Sequence, residues 1–266
     1  MKAMIVIPAR YASSRLPGKP LLVAGGKPLI QHTYEKAAAA SADRVIVATD
    51  DERILETVRG FGGEAVMTSA DHQTGTARVA EAAEKVAAAE GEVADIIVNM
   101  QGDEPETDPA HLDALIAVHR AALGSERPAF VSTLVCPFAP EPADGPGSPQ
   151  DPSCVKALLG HQRPDGGCDA LYFSRALAPY PRDEGGRVTD PTAYYLHIGI
   201  YAFSAASLKA YDTLPAGRLE AIEKLEQLRI LEAGERIAAA IVPQAAPGID
   251  TPADFEAFKK RLAAAG

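Results

Sequence analysis

The strongest constraint on the fold is the alternation of short apolar runs with amphipathic stretches over residues 4–67 of this 266-residue chain. Met4–Ile7 are typical of a strand buried on both faces, and Pro8, which cannot donate a hydrogen bond to a sheet, is expected to end it. The following elements are predicted to be a helix over 28–40 with Pro28 in its first position, a strand over 44–48, a helix capped by residues 49–51 and ending near residue 60, and a strand over 64–67. This order predicts an α/β fold with a parallel sheet and right-handed crossovers.

The rest of the chain continues with similar elements. Strands are predicted over 95–100, 129–135, 194–203 and 237–242, and helices over 79–89, 109–123 and 219–233 and from residue 252 onward. Residues 137–152, with six prolines and two glycines, are predicted to be a surface loop.

The composition limits the classes of partner. A net charge of −10 argues against nucleic acid or an anionic membrane as the main partner. Cys136, Cys154 and Cys168 lack CxxC spacing and indicate reduced thiols, neither a disulfide framework nor a zinc site. No apolar run approaches transmembrane length, and the first run is too short for a signal peptide. A cytoplasmic protein without membrane insertion is therefore expected.

A basic loop follows the first predicted strand. Arg10, Arg15 and Lys19 lie near Ser13 and Ser14, small residues whose backbone N–H groups can approach an anion closely. Ligands of open α/β sheets bind beyond the carboxyl ends of the strands. A single arginine would indicate only a solvated rim, but three cations in an acidic chain favour a phosphate site. Neither a Walker P-loop nor a GxGxxG turn is present.

Residues 69–78, SADHQTGTAR, form a polar segment before a predicted helix. The residues suited to the edge of a base are Asp71, His72, Thr74, Thr76 and Arg78, and Gly75 permits a close approach of the backbone. The segment fits a loop that caps the helix equally well. His72 is not expected to bind a metal, because no second ligand lies at a helical spacing from it.

Acidic residues at two predicted strand and helix ends are candidates for a metal site. Asp103 comes just past the carboxyl end of a strand, and Mg²⁺ beside phosphates needs few carboxylates. The alternative is a simple turn with Glu104 exposed, and the basic loop favours the metal site for Asp103 but not for Glu104. Asp50 is expected to be a helix N-cap. Asp250 has no capping role, because the residues after it already explain the start of the last helix.

The strand predicted over 194–203 has two different faces. Its alternation places Ile198, Ile200 and Ala202 on one face and His197, Gly199 and Tyr201 on the other. The second face fits a pocket for a polyhydroxylated ligand, and it equally fits a strand that meets solvent.

The helix predicted over 219–233 is also two-faced. Leu219, Ile222, Leu225 and Leu228 are expected to pack inward, while Glu223, Glu226 and Gln227 share another face. Acids on such a face are ordinarily solvated surface.

A series of motifs resembles those of the 3-deoxy-manno-octulosonate (Kdo) cytidylyltransferases, also called CMP-Kdo synthetases. In chain order they read IPARYASSRLPGKPL, ADHQTGTAR, VNMQGDEP, DPSCVK, ALYFSR, HIGIY, LEAIEKLEQLR and GIDTPAD. The proline-rich segment over 137–152 is longer than expected for that family, which puts only the local loop structure in doubt.

The resemblance implies a Rossmann-like nucleotide-diphospho-sugar transferase fold with a mainly parallel central sheet, helices on both faces and a smaller sugar-binding and dimerisation lobe. It implies one domain over 1–266, in which 1–135 mainly bind the nucleotide and 153–266 mainly bind the sugar and form the dimer. The implied reaction transfers CMP from CTP to Kdo with Mg²⁺, in a homodimer that serves lipopolysaccharide synthesis.

The resemblance also implies roles for individual residues. Catalytic roles fall to Arg10, Lys19, Asp103 and Asp250, the last two as Mg²⁺ ligands. The nucleotide is expected to contact Arg10, Ser13, Ser14, Lys19, Asp71, Thr74, Gly75, Thr76 and Arg78. The sugar acid is expected to contact Arg15, Gln101, Arg175, His197, Tyr201, Glu226 and Gln227.

Two alternatives remain open from the sequence. The sugar could be another 2-keto acid, such as 8-amino-Kdo or a sialic acid, although sialic acid enzymes usually carry a different first loop. The chain could also be a nucleotide-binding module without catalysis, which the joint presence of Arg10, Lys19, Asp103 and Asp250 disfavours.

Overall fold

A computed structural model describes residues 1–12, 16–163 and 166–265. The strands are β1 Ala3–Ala9, β2 Val23–Ala24, β3 Lys27–Pro28, β4 Arg44–Thr49, β5 Ala65–Met67, β6 Ile96–Asn99, β7 Val131–Pro137, β8 Lys156–Leu159, β9 Cys168–Ser174, β10 Tyr195–Ser204 and β11 Ile237–Ile241. The helices are α1 Leu29–Ala38, α2 Glu52–Gly60, α3 Gly75–Glu90, α4 Pro109–Leu123, α5 Ala205–Tyr211, α6 Arg218–Glu223, α7 Leu228–Glu232 and α8 Pro252–Ala265.

The chain forms two compact units. Unit 1 comprises Met1–Asp113 and Ala246–Gly266, and unit 2 comprises Ala114–Ala245. The boundary falls within α4, so the units divide the chain at other places than the predicted functional halves. The assignment of nucleotide and sugar binding to those halves stays a prediction.

Unit 1 contains the predicted parallel sheet, with the strand order β5-β4-β1-β6. Ile5 of β1 lies between Val45 of β4 and Val98 of β6, and all three strands run parallel. These apolar side chains are buried because the helices that alternate with the strands along the chain cover the sheet. The βαβαβ prediction is confirmed.

Two details of unit 1 differ from the prediction. Pro8 does not end β1, because it still pairs with Ala48 of β4 while the pairing with β6 has already stopped at Val6. A proline with one partner strand need not break a ladder. Pro28 is the N-cap of α1 with an extended ψ of 151°, not its first helical residue.

Unit 2 contains a mixed sheet of β7 to β11. β10 runs antiparallel to β7, β11 runs parallel to β7, and β9 runs antiparallel to β11. β8 pairs with β9 and also with the first residues of β10. β7 ends at Pro137, two residues later than predicted, because its pairing with β10 continues to Tyr195. Residues 138–155 contain neither helix nor strand, as predicted for the proline-rich loop.

The single helix predicted over 219–233 is wrong. Residues 224–227 separate α6 from α7, and Lys224 adopts a left-handed conformation with φ of 54°. The Lys224 backbone N–H donates to Glu220 O at 2.8 Å, which closes α6. The Glu220 carboxylate in turn accepts from Arg229 Nε on α7 at 2.9 Å. These contacts between the two helices offset the steric cost of about 1–2 kcal/mol for a left-handed residue.

The break changes which side chains are buried. Ile222, predicted to pack inward, is 68% exposed, whereas Leu225 and Leu228 are 6% and 0% exposed. Glu226 and Gln227 lie in the break and do not share a helical face with Glu223.

Burial keeps His119 of α4 neutral. Its Nδ1 lies 2.8 Å from Ser132 Oγ on β7, and Nε2 is buried without a hydrogen-bond partner among the residues described. Burial lowers the pKa of His119 to about 4.

Acid should therefore destabilise the protein through His119. The pKa of His119 in the folded state lies below its ordinary value of 6.5. The stability that the neutral side chain contributes is therefore complete above pH 6.5 and is lost as the pH falls towards 4. The loss between about pH 7 and pH 5 should be roughly 2 kcal/mol of unfolding free energy. In His119→Gln, we expect the unfolding free energy to fall by roughly 2 kcal/mol less than in the wild type between these two pH values. Urea unfolding at both pH values measures this difference. Identical pH dependences of the two proteins would contradict this assignment.

None of the described helices combines the length and the apolar character that crossing a membrane requires.

Candidate active site

Lys19, Asp103 and Asp250 meet in unit 1. Lys19 Nζ donates to Asp103 Oδ2 at 2.8 Å and to the backbone oxygen of Ile249 at 2.8 Å, and it lies 3.5 Å from Asp250 Oδ1. The Lys19 side chain is 14% exposed, whereas those of Asp103 and Asp250 are 31% and 50% exposed. The cluster is therefore anchored in the fold but open on its acidic side.

Local structure explains how these residues converge. Gly18 has φ of 67°, which only glycine adopts without strain, and its N–H donates to Tyr11 O at 3.0 Å to close the loop before Lys19. On the other side, the Ile249 N–H donates to Asp103 O at 2.9 Å. This backbone bond holds the two segments that carry the carboxylates next to each other.

The start of α8 directs the Asp250 side chain. Thr251 Oγ1 accepts from the Asp254 N–H at 3.2 Å, and the Asp254 carboxylate accepts from the Thr251 N–H at 2.8 Å. This is the predicted capping box. It leaves the Asp250 carboxylate with no capping function, and Ile249 anchors the segment by packing against Phe255 and Phe258.

The oxygen donors of this cluster fit a hard divalent cation. Two carboxylates and phosphate or water oxygens are the ligands that Mg²⁺ prefers, and Mg²⁺ does not need a cage made entirely of protein groups. No group of three or more His, Cys, Asp or Glu residues in the described part of the chain is arranged as a metal site.

Glu104 is a poor candidate ligand. Burial raises the pKa of Glu104 to about 7, the negative charge of Asp103 adds to the rise, and the hydrogen bond from Thr107 opposes it. A carboxyl group with a raised pKa binds a cation less readily than a carboxylate does.

The backbone packs closely beside the cluster. A Cβ on Gly75 would lie 3.4 Å from Pro8 Cγ and 3.7 Å from Gln101 Oε1, and a Cβ on Gly102 would lie 3.0 Å from Pro8 O. The structure thus brings Gly75, a predicted nucleotide contact, next to Gln101, a predicted sugar contact. Arg10 is exposed directly after β1, and Ser13, Ser14 and Arg15 lie outside the described residues.

The segment before α3 is held by its own side chains. Thr74 is the N-cap of α3, and its Oγ1 accepts from the Ala77 N–H at 3.1 Å. Asp71 accepts from Ser69 Oγ at 3.3 Å, and His72 Nε2 contacts the Glu81 carboxylate. The capping function is confirmed, while contact of Asp71 and Thr74 with a base stays a prediction.

Arg78 is buried in an ion pair. Its guanidinium donates to Asp50 Oδ2 at 2.7 Å and to Thr68 Oγ1 at 2.6 Å, and the residue is 3% exposed. Asp50 is therefore not the N-cap of α2; Asp51 is, since its side chain accepts from the Arg53 N–H. Arg78 positions the segment, and its direct contact with a nucleotide stays a prediction.

A buried polar atom lies close to this segment. Asn99 is 1% exposed, and its Nδ2 donates weakly to Thr76 Oγ1 at 3.4 Å. Its Oδ1 has no hydrogen-bond partner among the described residues.

In unit 2, His197 of β10 lies among aromatic rings. Its ring centroid is 4.8 Å from that of Phe173 and 5.6 Å from that of Tyr201. Thr133 Oγ1 on β7 lies 3.0 Å from His197 Nε2. Burial lowers the pKa of His197 to about 3 and raises that of Tyr201, so both side chains are uncharged near neutral pH.

The break between α6 and α7 carries two predicted sugar contacts. Glu226 Oε2 accepts from Tyr211 Oη at 3.4 Å, and burial raises the pKa of Glu226. Gln227 is 4% exposed, and its Nε2 has no hydrogen-bond partner among the described residues. A buried amide donor without a partner costs about 1–3 kcal/mol, so it marks a position that a ligand can satisfy.

Arg175 is held by backbone oxygens. Its Nε donates to Glu223 O at 2.7 Å and its Nη1 donates to Pro152 O at 3.1 Å, while the Glu223 carboxylate accepts from the Arg175 N–H at 2.9 Å. Next to it, Lys156 Nζ donates to Arg175 O at 2.7 Å.

Sequence reasoning did not identify several residues of this region. Thr133, Tyr211 and Lys156 contact predicted site residues or their backbone. Thr133 and Lys156 are fully buried, at 0% exposure. The only sequence signal was a polar residue within an apolar strand for Thr133 and a motif without an assigned role for Lys156.

Comparisons with known proteins identify the family. The family model described as "Cytidylyltransferase" matches residues 4–237. A 3-deoxy-manno-octulosonate cytidylyltransferase of Syntrophobacter fumaroxidans is 47% identical over 99% of this chain and 98% of the relative. An 8-amino-3,8-dideoxy-manno-octulosonate cytidylyltransferase of Shewanella piezotolerans is 42% identical over 99% of each chain.

A solved structure gives the same answer for the fold. The CMP:2-keto-3-deoxy-manno-octonic acid synthetase complexed with CTP has a TM-score of 0.85 and 41% identity and covers 100% of both chains. The predicted nucleotidyltransferase fold is thereby confirmed. The chain belongs to the 3-deoxy-manno-octulosonate cytidylyltransferase family.

Proposed function

We propose that this protein transfers CMP from CTP to Kdo and releases pyrophosphate and CMP-Kdo. The observation that carries the proposal is the meeting of Lys19, Asp103 and Asp250 in unit 1. Lys19 supplies a cation for phosphate groups, and the two aspartates supply carboxylates for a divalent metal. The names of full-length relatives at up to 47% identity support the choice of substrates.

The chemistry demands positioning and charge neutralisation more than a strong base. The anomeric hydroxyl of the sugar acid attacks the α-phosphorus of CTP in line as pyrophosphate leaves. Lys19 and Arg10 are proposed to bind the triphosphate, with Ser13 and Ser14 contributing backbone groups. Asp71, Thr74, Gly75, Thr76 and Arg78 are proposed to form the cytidine side of the site.

We infer that Asp103 and Asp250 hold Mg²⁺. When bound, Mg²⁺ neutralises phosphate charge and lowers the pKa of a hydroxyl group that it coordinates. Both carboxylates lie within 3.5 Å of Lys19 Nζ, which supports their assignment to one site. Their open, acidic side supports this role.

The sugar acid is proposed to bind polar groups of unit 2. The buried Gln227 Nε2 lacks a partner among the described residues and can donate to a hydroxyl. His197, Tyr201, Glu226 and Arg175 are proposed to supply further hydrogen bonds. Contact of Gln101 and Arg15 with the sugar acid stays a prediction. We also propose action as a cytoplasmic homodimer in lipopolysaccharide synthesis, which the family membership supports.

The test is pyrophosphate release from CTP, Mg²⁺ and Kdo by the full chain. Parallel reactions contain 8-amino-Kdo, a sialic acid or another nucleotide in place of the preferred substrate. Release with CTP and Kdo supports the proposal, and faster release with 8-amino-Kdo would favour the second candidate, which the Shewanella relatives suggest. Binding of CTP without release with any sugar would leave only a nucleotide-binding module.

A further inference from the structure

The hydroxyl group of Thr133 lies at a bulge in β10. The register between β10 and β7 shifts between Ile198 and Tyr201, and Thr133 sits opposite this shift. Its Oγ1 lies 3.1 Å from Ile198 O, 3.0 Å from Ile200 O and 3.0 Å from His197 Nε2. Thr133 is completely buried, so water does not compete for these contacts.

Proton counting decides the direction of these hydrogen bonds. A threonine hydroxyl has one proton to donate and two lone pairs to accept with, while a backbone carbonyl oxygen can only accept. If the proton pointed at His197 Nε2, both carbonyl oxygens would face a hydroxyl oxygen at about 3 Å with no proton between them. If the proton is shared between the two carbonyl oxygens in a three-centre hydrogen bond, the hydroxyl oxygen accepts from a protonated Nε2, and each of the three contacts then has a proton between its atoms.

The other ring nitrogen of His197 is available. Nδ1 has no hydrogen-bond partner among the described residues, and the residue is only half-buried. The lowered pKa of His197 means that the ring carries one proton near neutral pH. A ring protonated at Nε2 has an unprotonated Nδ1, which accepts and cannot donate.

We propose that Thr133 is a positioning residue that holds His197 as the Nε2–H tautomer and thereby presents Nδ1 as an acceptor to a hydroxyl group of the sugar acid. The part concerning the sugar rests on the proposed function, whereas the tautomer does not. An unprotonated ring nitrogen repels a carboxylate, because both groups can only accept. His197 is therefore expected to bind a hydroxyl group of the sugar acid, and other residues are expected to bind its carboxylate.

The first test is nitrogen-15 NMR of the full chain with labelled histidine at neutral pH. The His197 signals are assigned by their loss in His197→Gln. We expect the two-bond pattern of a ring protonated at Nε2 and unprotonated at Nδ1. A wild-type ring protonated at Nδ1, or a doubly protonated ring, would overturn the proposal without any variant that might misfold.

The second test compares variants of two neighbouring hydroxyls on β7. Thr133→Val should convert the His197 pattern to a mixture of tautomers and raise the KM for Kdo about tenfold, with the KM for CTP unchanged. Thr133→Ser keeps the hydroxyl and should restore both readouts. Ser132→Ala is the matched control, because Ser132 contacts His119, and it should leave the His197 signals unchanged.

The outcomes separate the two proposals. An unchanged tautomer pattern in Thr133→Val overturns the role of Thr133, whatever the activity. The wild-type protein could show the expected NMR pattern but release no pyrophosphate with any sugar acid. That result would support the proposed tautomer and contradict the proposed function. A changed tautomer with an unchanged KM for Kdo refutes the contact between Nδ1 and the sugar.

Discussion

Replacing Asp103 by asparagine should lower kcat for pyrophosphate release about a thousandfold, which corresponds to about 4 kcal/mol of transition-state stabilisation. Asparagine has the same shape and can still accept from Lys19 Nζ, which lies 2.8 Å from the Asp103 carboxylate. The fold should therefore persist, while the negative charge that would hold Mg²⁺ is removed. We expect the Mg²⁺ concentration for half-maximal rate to rise in parallel.

The measurement needs a control for the loss of one charge. Glu84 is an exposed carboxylate on α3 of the same unit, and Glu84→Gln should keep kcat within about twofold. Binding of Mn²⁺ in the presence of CTP, followed by electron paramagnetic resonance, gives a readout that does not depend on turnover. A decrease in kcat of less than tenfold with unchanged Mn²⁺ binding would remove Asp103 from the proposed site.

Replacing Lys156 by methionine should have the largest effect on stability. The Lys156 ammonium is completely buried and donates to Asp151 O, Cys154 O and Arg175 O at 2.9, 2.6 and 2.7 Å. Methionine fills a similar volume but leaves these three carbonyl oxygens without their donor. We expect a loss of about 4 kcal/mol in the free energy of unfolding, measured by urea titration at neutral pH.

The fold around Lys156 explains the size of this effect. Lys156 is the first residue of β8, and its three bonds tie the end of the proline-rich loop to the backbone of Arg175. Burial lowers the pKa of Lys156, but the three acceptors satisfy all three ammonium protons. Lys209→Met, at an exposed position on α5, is the matched control and should change stability by less than about 0.5 kcal/mol. A comparable small change in Lys156→Met would show that the loop does not depend on this cation.

Local patterns were sufficient for most elements of the fold. The buried strand β1 and the helix α4 could be predicted because apolar periodicity and caps act over neighbouring residues. The capping box of Thr251 and Asp254 was predicted for the same reason, while the metal-binding role of Asp250 stays a prediction. The acidic and basic residues of unit 1 could be anticipated at one edge, because parallel strands end on the same side of their sheet.

Patterns failed where a distant contact decided the conformation. The 219–233 segment has helical periodicity throughout, yet Lys224 is left-handed because the Glu220 carboxylate binds Arg229 and closes α6 against α7. The sequence around Asp50 is typical of a helix N-cap. The structure pairs Asp50 with the buried guanidinium of Arg78 instead, because an unpaired buried charge costs more free energy than an uncapped helix end.

The sequence by itself determined the α/β order of elements, the parallel sheet of unit 1 and the residue types available for phosphate and metal binding, because these depend on short-range periodicity and strand direction. Only the tertiary structure decided that Lys19 lies between Asp103 and Asp250, that Lys156 binds three backbone oxygens and that Thr133 faces His197 across a bulge. The contacts of Lys19 and Thr133 join residues far apart in the chain, and Lys156 joins its own loop to Arg175 on another segment. Their energies depend on burial, which no local pattern specifies.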